Sequence, residues 1–241
     1  MAVFLEVALL TEAATLLAAF GTPRFGTRAA FAVGFNLLFL IALLYALTAP
    51  ASTPRTALGL LMLAIYLLHM DTLLLFFSQR TAAPKLDARL SPAERWLLPF
   101  LMVNLVGFGY GLPFYFAFRN PAPLGLADAA AILVYLVGTF FHAGGDFQKL
   151  RFKARPENRG RLLTHGLWGL CRHPNYFGDF LIYLAFALLA QNPWAFVAPL
   201  LNFLQYRFDA IPKNEAWARE RYGAAWDAYA RRVKMFVPFL Y

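Results

Sequence analysis

Apolar residues run through this chain in long blocks separated by short polar connections. Seven blocks stand out, at about residues 3–20, 29–49, 57–77, 97–118, 126–143, 177–190 and 194–208. A helix of about 20 apolar residues crosses a hydrocarbon layer with every backbone polar group satisfied internally. Membrane-spanning strands are shorter and alternate in polarity, so a barrel does not fit. The pattern predicts an all-α integral membrane protein with about seven transmembrane helices. The last two blocks are short, and Asn192-Pro193 between them is a turn signal, so a tight helical hairpin is expected there. The tail from Lys213 reads as one amphipathic helix, with Trp226, Tyr229 and Val233 at helical spacing. Glu6 and Glu12 interrupt the first block and no basic stretch precedes it, which suits a retained helix better than a cleaved signal peptide. Two regions are expected: N-terminal transmembrane helices over 1–125 and a second, more polar region over 126–241.

Composition strengthens the membrane reading. Hydrophobic residues make up 60% of the 241 and charged residues 15%, whereas a soluble domain carries about 25% charged residues. The charges also suggest an orientation. In the seven-helix topology twenty lysines and arginines fall on one side, and only Arg55 and Arg119 on the other. Bases in short loops stay cytoplasmic, which places the N-terminus outside and the C-terminus in the cytoplasm. The net charge of +9 follows one membrane face, so anionic lipids are expected to meet it and nucleic acid is not. Cys171 is the only cysteine, which excludes an intrachain disulfide, and it reads as a small buried thiol. The four histidines show no metal-ligand spacing, so no metal is expected.

Candidate chemistry collects from Asp146 onward, in DFQKLRFKARPENRGRLLTHGLWGLCRHPNYFGDF. Arg172, His173, Asn175, Tyr176 and Asp179 lie within eight residues and run into an apolar block. Pro174 suits the first turn of a helix, whose unpaired N–H groups and dipole favour phosphate or carboxylate. Arginine adds a planar fork for phosphate oxygens. Trp168 and Tyr176 offer faces for a flat ring. These residues describe a pocket for a phosphorylated, ring-bearing ligand, with the amphipathic tail as its second wall. Glu215 and Arg219, four apart in the tail, are spaced to pair on a helix surface. GFGYG at 107–111 sits in an apolar block with no strand before it, so close helix packing or a kink is expected, not a dinucleotide loop.

QKLRFK and GLWGLCRHPNYFGD resemble the C-terminal part of bacterial steroid 5-alpha-reductase-like proteins of the DUF1295 group. LLTHGLWGLCRHPNYFGD and the tail KNE…RYGAAWDAY…VPFLY are similar to the sterol C14- and C7-reductases and the lamin B receptor. Isoprenylcysteine carboxyl methyltransferases carry a related RHPNY-x-G element. The resemblance covers about residues 128–241. It implies NADPH held in a membrane-embedded pocket without a Rossmann fold, and reduction of a carbon–carbon double bond in a steroid, sterol or other enone-type lipid. Residue by residue, it implies cofactor roles for Lys149, Lys153, Arg161, Trp168, Arg172, His173, Asn175, Tyr176, Asp179, Glu215 and Tyr222. The chain departs from the sterol reductases at Lys213-Asn214, where they carry Arg-Asp, at Ala210, where they carry arginine, and at Leu167-Trp168, where they carry two tryptophans. These departures bear on the substrate more than on the cofactor.

Such a reduction also needs a proton donor, and ionisable groups at membrane depth mark function. Glu12, Asp71 and Tyr110 are the candidates, with Glu6, His69, Tyr66 and Tyr115 beside them, and the sequence does not choose among them. Two other readings stay open: a methyltransferase using S-adenosylmethionine on a lipid or prenyl-linked thiol, and a non-catalytic lipid-binding protein. The basic QKLRFKARPENRGR run favours NADPH, which carries a pyrophosphate and a 2′-phosphate that the methyl donor lacks. The resemblance to bacterial proteins points to a bacterial inner membrane.

Overall fold

The computed structural model describes residues 6–7, 26–72 and 106–241, and among these there are helices and turns but no strand. Eight helices are used below: α1 (Gly26–Leu47), α2 (Pro54–Thr72), α3 (Leu112–Arg119), α4 (Leu126–Ala154), α5 (Pro174–Ala190), α6 (Val197–Gln205), α7 (Ile211–Tyr222) and α8 (Ala224–Arg232). The all-α expectation holds for the described residues. Helix α4 is the one helix among them that is both long and apolar enough to cross a membrane. The first apolar block apart from Glu6 and Val7, Glu12, and the connection from 73 to 105 lie outside the described residues.

The chain divides into two compact units, Met1–Asp128 with Phe186–Ala198, and Ala129–Ala185 with Pro199–Tyr241. In the first, Leu37, Leu38, Ile41, Ala42 and Tyr45 of α1 are buried, the one-sided spacing of a helix face. They share a core with Met62, Leu63 and Tyr66 of α2 and with Phe114 and Phe118 of α3. Thr53 caps α2: its hydroxyl accepts from Thr56 N at 3.3 Å, and the Thr56 hydroxyl accepts from Thr53 N at 3.4 Å. The GFGYG stretch falls in a π-helical turn, Val106–Tyr110, directly before α3. A Cβ on Gly111 would lie 3.3 Å from Ile41 Cγ2 of α1, so the close packing expected there is present.

Arg55 and Asp128 hold this unit together. Both are buried, Arg55 at 0% and Asp128 at 2% exposure. The Arg55 fork donates to Asp128 through Nε at 2.8 Å and Nη2 at 3.0 Å. Its remaining N–H groups reach the carbonyls of Asn120, Ala122 and Pro123 at 3.0–3.2 Å. Asp128 also accepts from Gly125 N and Gln191 Nε2. Arg119 is likewise engaged, donating to Glu6 at 2.5 Å and lying 4.0 Å over the Tyr115 ring. The two bases expected on the sparsely charged side thus both have acidic partners.

In the second unit, α4 and α5 cross at glycines. A Cβ on Gly178 would lie 2.2 Å from His142 N and 2.5 Å from the Gly138 carbonyl. Small residues let backbones approach this closely. The face of α4 that carries Leu133, Leu136 and Phe140 is exposed, as a lipid-facing stripe would be. Residues Asn192–Phe196 make the expected turn, with Asn192 Oδ1 accepting from Trp194 N at 3.0 Å. Helix α6 then runs through a second π-helical turn, Tyr206–Ala210, into α7 without a break. Pro212 explains the widened turn, because it lacks an N–H and its ring would clash with the carbonyl four residues back. The tail differs from the single helix expected. It is two helices, parted at Gly223, whose φ of +51° is a conformation glycine adopts at little cost.

Two stability predictions follow from these contacts. Arg55→Met strands Asp128 as a buried unpaired charge, a loss of about 3–5 kcal/mol. The melting temperature in detergent should fall by roughly 10 °C and recover in part when Asp128→Asn is added. An unchanged melting temperature would contradict the bridge. Gly178→Ala should cost about 3 kcal/mol through overpacking. Gly125→Ala, with nothing within 4 Å of the new carbon, should be nearly neutral.

Candidate functional site

The C-terminal unit contains a cleft of about 680 Å³, counting space open to solvent. Four stretches of chain build it. The last turns of α4 supply Lys149 and Lys153, and the connection after it supplies Arg161 and Trp168. The start of α5 and the residues before it supply Arg172, His173, Asn175 and Tyr176. Helices α7 and α8 close the other side with Asn214, Trp217, Tyr222, Trp226 and Tyr229. Nine of the eleven residues singled out in the sequence thus share one cleft, while Asp179 and Glu215 do not line it.

The cleft wall is held by Arg172. Its Nε donates to Glu215 at 2.8 Å, and Nη1 donates to the carbonyls of Ala230 and Val233 at 2.9 and 2.8 Å. Its own backbone N–H donates to Lys234 O at 2.7 Å. Arg172 therefore ties the residues before α5 to α7 and to the end of α8. Glu215 also accepts from His173 Nε2 at 3.2 Å. It does not pair with Arg219, which donates instead to Asp227 across the Gly223 break at 3.0 Å. Burial pushes the His173 imidazole below its usual pKa, and the Glu215 contact only partly offsets this. Burial would raise the Glu215 carboxyl, but hydrogen bonds from His173 and Arg172 outweigh it and the net shift is downward. Cys171 is buried and its thiol is pushed up to about 12, which makes it inert packing.

The aromatic wall is fixed with similar care. Trp168 Nε1 donates to Gly145 O at 2.9 Å, and Tyr229 donates its hydroxyl to Trp168 O at 2.5 Å. Gly166 before it has φ +64°, and a Cβ there would meet Gln148 Oε1 at 2.6 Å. That oxygen accepts from Leu167 N at 3.0 Å. His173, Tyr176 and Tyr206 stack in series, at 5.4 and 4.3 Å between ring centroids. Asn214 donates to the Tyr176 hydroxyl at 2.7 Å, and Asn175 donates to Asp146 at 3.1 Å. Asp179 is directed elsewhere: its Oδ2 accepts from Asn202 at 2.8 Å and from Tyr206 at 2.6 Å.

The charge on the cleft is one-sided. No aspartate or glutamate lines it. Lys149, Lys153 and Arg161 form no ion pair among the described residues, and Lys149 lies 4.7 Å over the Trp168 ring instead. The tail expected as a second wall does line the cleft, through Trp226 and Tyr229. Sequence reasoning missed Asn214 and Trp217 as cleft residues, and Asn214 had registered only as a departure from a motif. The candidate proton donors fall in the other unit. Glu6 accepts from Tyr115 and Arg119, Asp71 accepts from Asn36 at 3.1 Å, and Tyr110 is buried at the end of its π-turn.

Comparison with known proteins extends the picture. A Delta(14)-sterol reductase from Mus musculus is 32% identical over 165 residues, covering 61% of this chain and 39% of the relative. The Delta(14)-sterol reductase of Schizosaccharomyces pombe is 31% identical over 183 residues, covering 61% and 42%. That of Saccharomyces cerevisiae is 31% identical over 163 residues, covering 61% and 36%. The chain thus spans about two-fifths of the length of these relatives. A family model described as "Protein of unknown function (DUF1295)" matches residues 33–233, so the likeness reaches well beyond the C-terminal motifs, and the chain belongs to that family.

Proposed function

We propose that the chain is an NADPH-dependent reductase that saturates a carbon–carbon double bond in a lipophilic, sterol-like substrate within a membrane. The observation that carries this reading is the acid-free cleft, with three bases lacking ion partners beside an aromatic wall. Unpaired bases in an acid-free pocket favour a polyanion, and arginine and lysine both form charge-assisted bonds with phosphate. The exposed positions of Lys153 and Arg161 suit them to meet phosphates first. Trp168, Trp226 and Tyr229 offer rigid aromatic surface to a flat ring. When bound, NADPH would supply the hydride, while the protein supplies position and polarity.

The relatives' activity supports the reaction class. In this reading the cofactor belongs to the region 126–241 and the lipid substrate to the helices of 1–125. The exposed stripe of α4 faces acyl chains. The twenty bases, including those of the cleft, face the cytoplasm, in keeping with a bacterial inner membrane. S-adenosylmethionine, which carries no phosphate, leaves the bases of the cleft without a purpose.

Two measurements test the reading. Titration of detergent-purified protein should show saturable binding of NADPH, weaker binding of NADH and none of S-adenosylmethionine. Lys153→Ala with Arg161→Ala should weaken NADPH by about tenfold or more and leave the melting temperature unchanged. Tight S-adenosylmethionine binding without a response to NADPH would make the chain a methyltransferase. The second measurement concerns pH. His173 and Glu215 both have lowered pKa values in the fold, so their contribution is present at high pH and is lost on acidification. The His173 share should begin to fall below about pH 6.5, where the unfolded imidazole takes up its proton. Melting temperature should drop from about pH 7 toward about pH 5, more gently in His173→Gln. A flat profile in the unaltered protein would overturn the assignment of His173 as buried and neutral.

A further inference from the structure

Lys149 stands apart from the other bases of the cleft. Lys153 and Arg161 are exposed, whereas Lys149 is partly buried. It has no ion partner among the described residues, and its ammonium lies 4.7 Å from the centroid of the Trp168 ring. The quadrupole of an indole attracts a cation placed over its face. Trp168 cannot turn to follow it. Its Nε1–H is bonded to Gly145 O, its carbonyl accepts from Tyr229, and Gly166 and Gln148 fix the turn that carries it. The ring face is therefore a fixed surface, and the movable partner is the lysine.

This arrangement has two consequences for a ligand. The face of Trp168 that would receive a flat ring is the one Lys149 covers. The ammonium that would receive a phosphate is the one the ring holds. Two opposite charges attract each other more strongly than a charge and a ring quadrupole do, so an anion in the cleft draws Lys149 off the ring and opens the face. A ring arriving without an anion has to displace the lysine and leave it without compensation.

The geometry points to Lys149 as a specificity-determining residue that makes ring binding conditional on phosphate binding. The cleft would thereby select ligands that present an anion and a planar ring together, as nucleotides do, over neutral flat molecules that a membrane concentrates. This inference rests on the cofactor reading above and adds a coupling to it.

The test uses the full-length protein in detergent and three probes: NADPH, inorganic pyrophosphate, and the neutral ring 1-methyl-1,4-dihydronicotinamide. Equilibrium dialysis reports each affinity. In the unaltered protein, saturating pyrophosphate should tighten the neutral ring by about fivefold or more, the scale of an ordinary coupling between sites. In Lys149→Met the neutral ring should bind tighter without pyrophosphate and no longer respond to it. NADPH should weaken by about tenfold in the same variant. Lys153→Met serves as the comparison, losing NADPH affinity while keeping the response of the ring to pyrophosphate. If the unaltered protein binds NADPH but pyrophosphate leaves the ring's affinity unchanged, the coupling is wrong and the cofactor reading survives. If Lys149→Met weakens the ring as much as it weakens NADPH, Lys149 is a plain contact and the inference fails. Absence of NADPH binding in the unaltered protein would overturn both readings together.

Discussion

One guanidinium closes the C-terminal unit. Arg172 binds Glu215 of α7 and the last carbonyls of α8, while its backbone N–H holds Lys234. The positive charge meets carbonyls at a helix C-terminus, where the helix dipole favours a cation. Without this clasp, α7 and α8 would be left with the small apolar cluster of Ala218, Trp226, Tyr229 and Val233 and a few single hydrogen bonds, such as Asn214 to Tyr176 and Tyr229 to Trp168. The cleft exists because these two helices are brought back against the start of α5. Arg172 looks in the sequence like a phosphate ligand. In the fold its Nε and Nη1 are committed to protein acceptors, although the residue still lines the cleft.

Much of this was legible in the chain, for identifiable reasons. Long apolar blocks report helices directly, Asn192-Pro193 behaved as a turn signal should, and the GFGYG stretch runs through a π-helical turn. The cluster from Lys149 to Tyr176 could be read because its residues are local in sequence and chemically unusual beside an apolar block. Other features depended on contacts that no local pattern encodes. Asp179 sits one turn beyond Asn175 and reads as part of the same cluster. Its carboxylate instead answers Asn202 and Tyr206, more than twenty residues away. Glu215 has a base four residues on, yet it pairs with Arg172, and Arg219 reaches over Gly223 to Asp227. Helical spacing proposes partners, and the fold supplied others from farther along the chain.

The charge asymmetry expected from the sequence has two exceptions, Arg55 and Arg119, and each is neutralised by an acid within its own unit. A base so paired weighs little in the balance that orients helices, so the two are compatible with a strong bias in the rest. Lys149, Lys153 and Arg161 are arranged differently: they form no ion pair among the described residues, and all three line the cleft.

The π-helical turn at Tyr206–Ala210 has a consequence for register. Such a turn accommodates one residue more than an α-helical turn does, and each residue of an α-helix advances the side chains by about 100°. Everything in α7 inherits its angular phase from that extra residue. Removing it would restore a regular helix and rotate Asn214, Glu215 and Trp217 by more than a quarter of a turn about the axis. Arg172 would lose its acid, Tyr176 its amide, and the cleft one of its walls, although no residue of the cleft itself had changed. The composition of the site is thus written in its side chains, but its alignment is written in the length of a turn that touches no ligand.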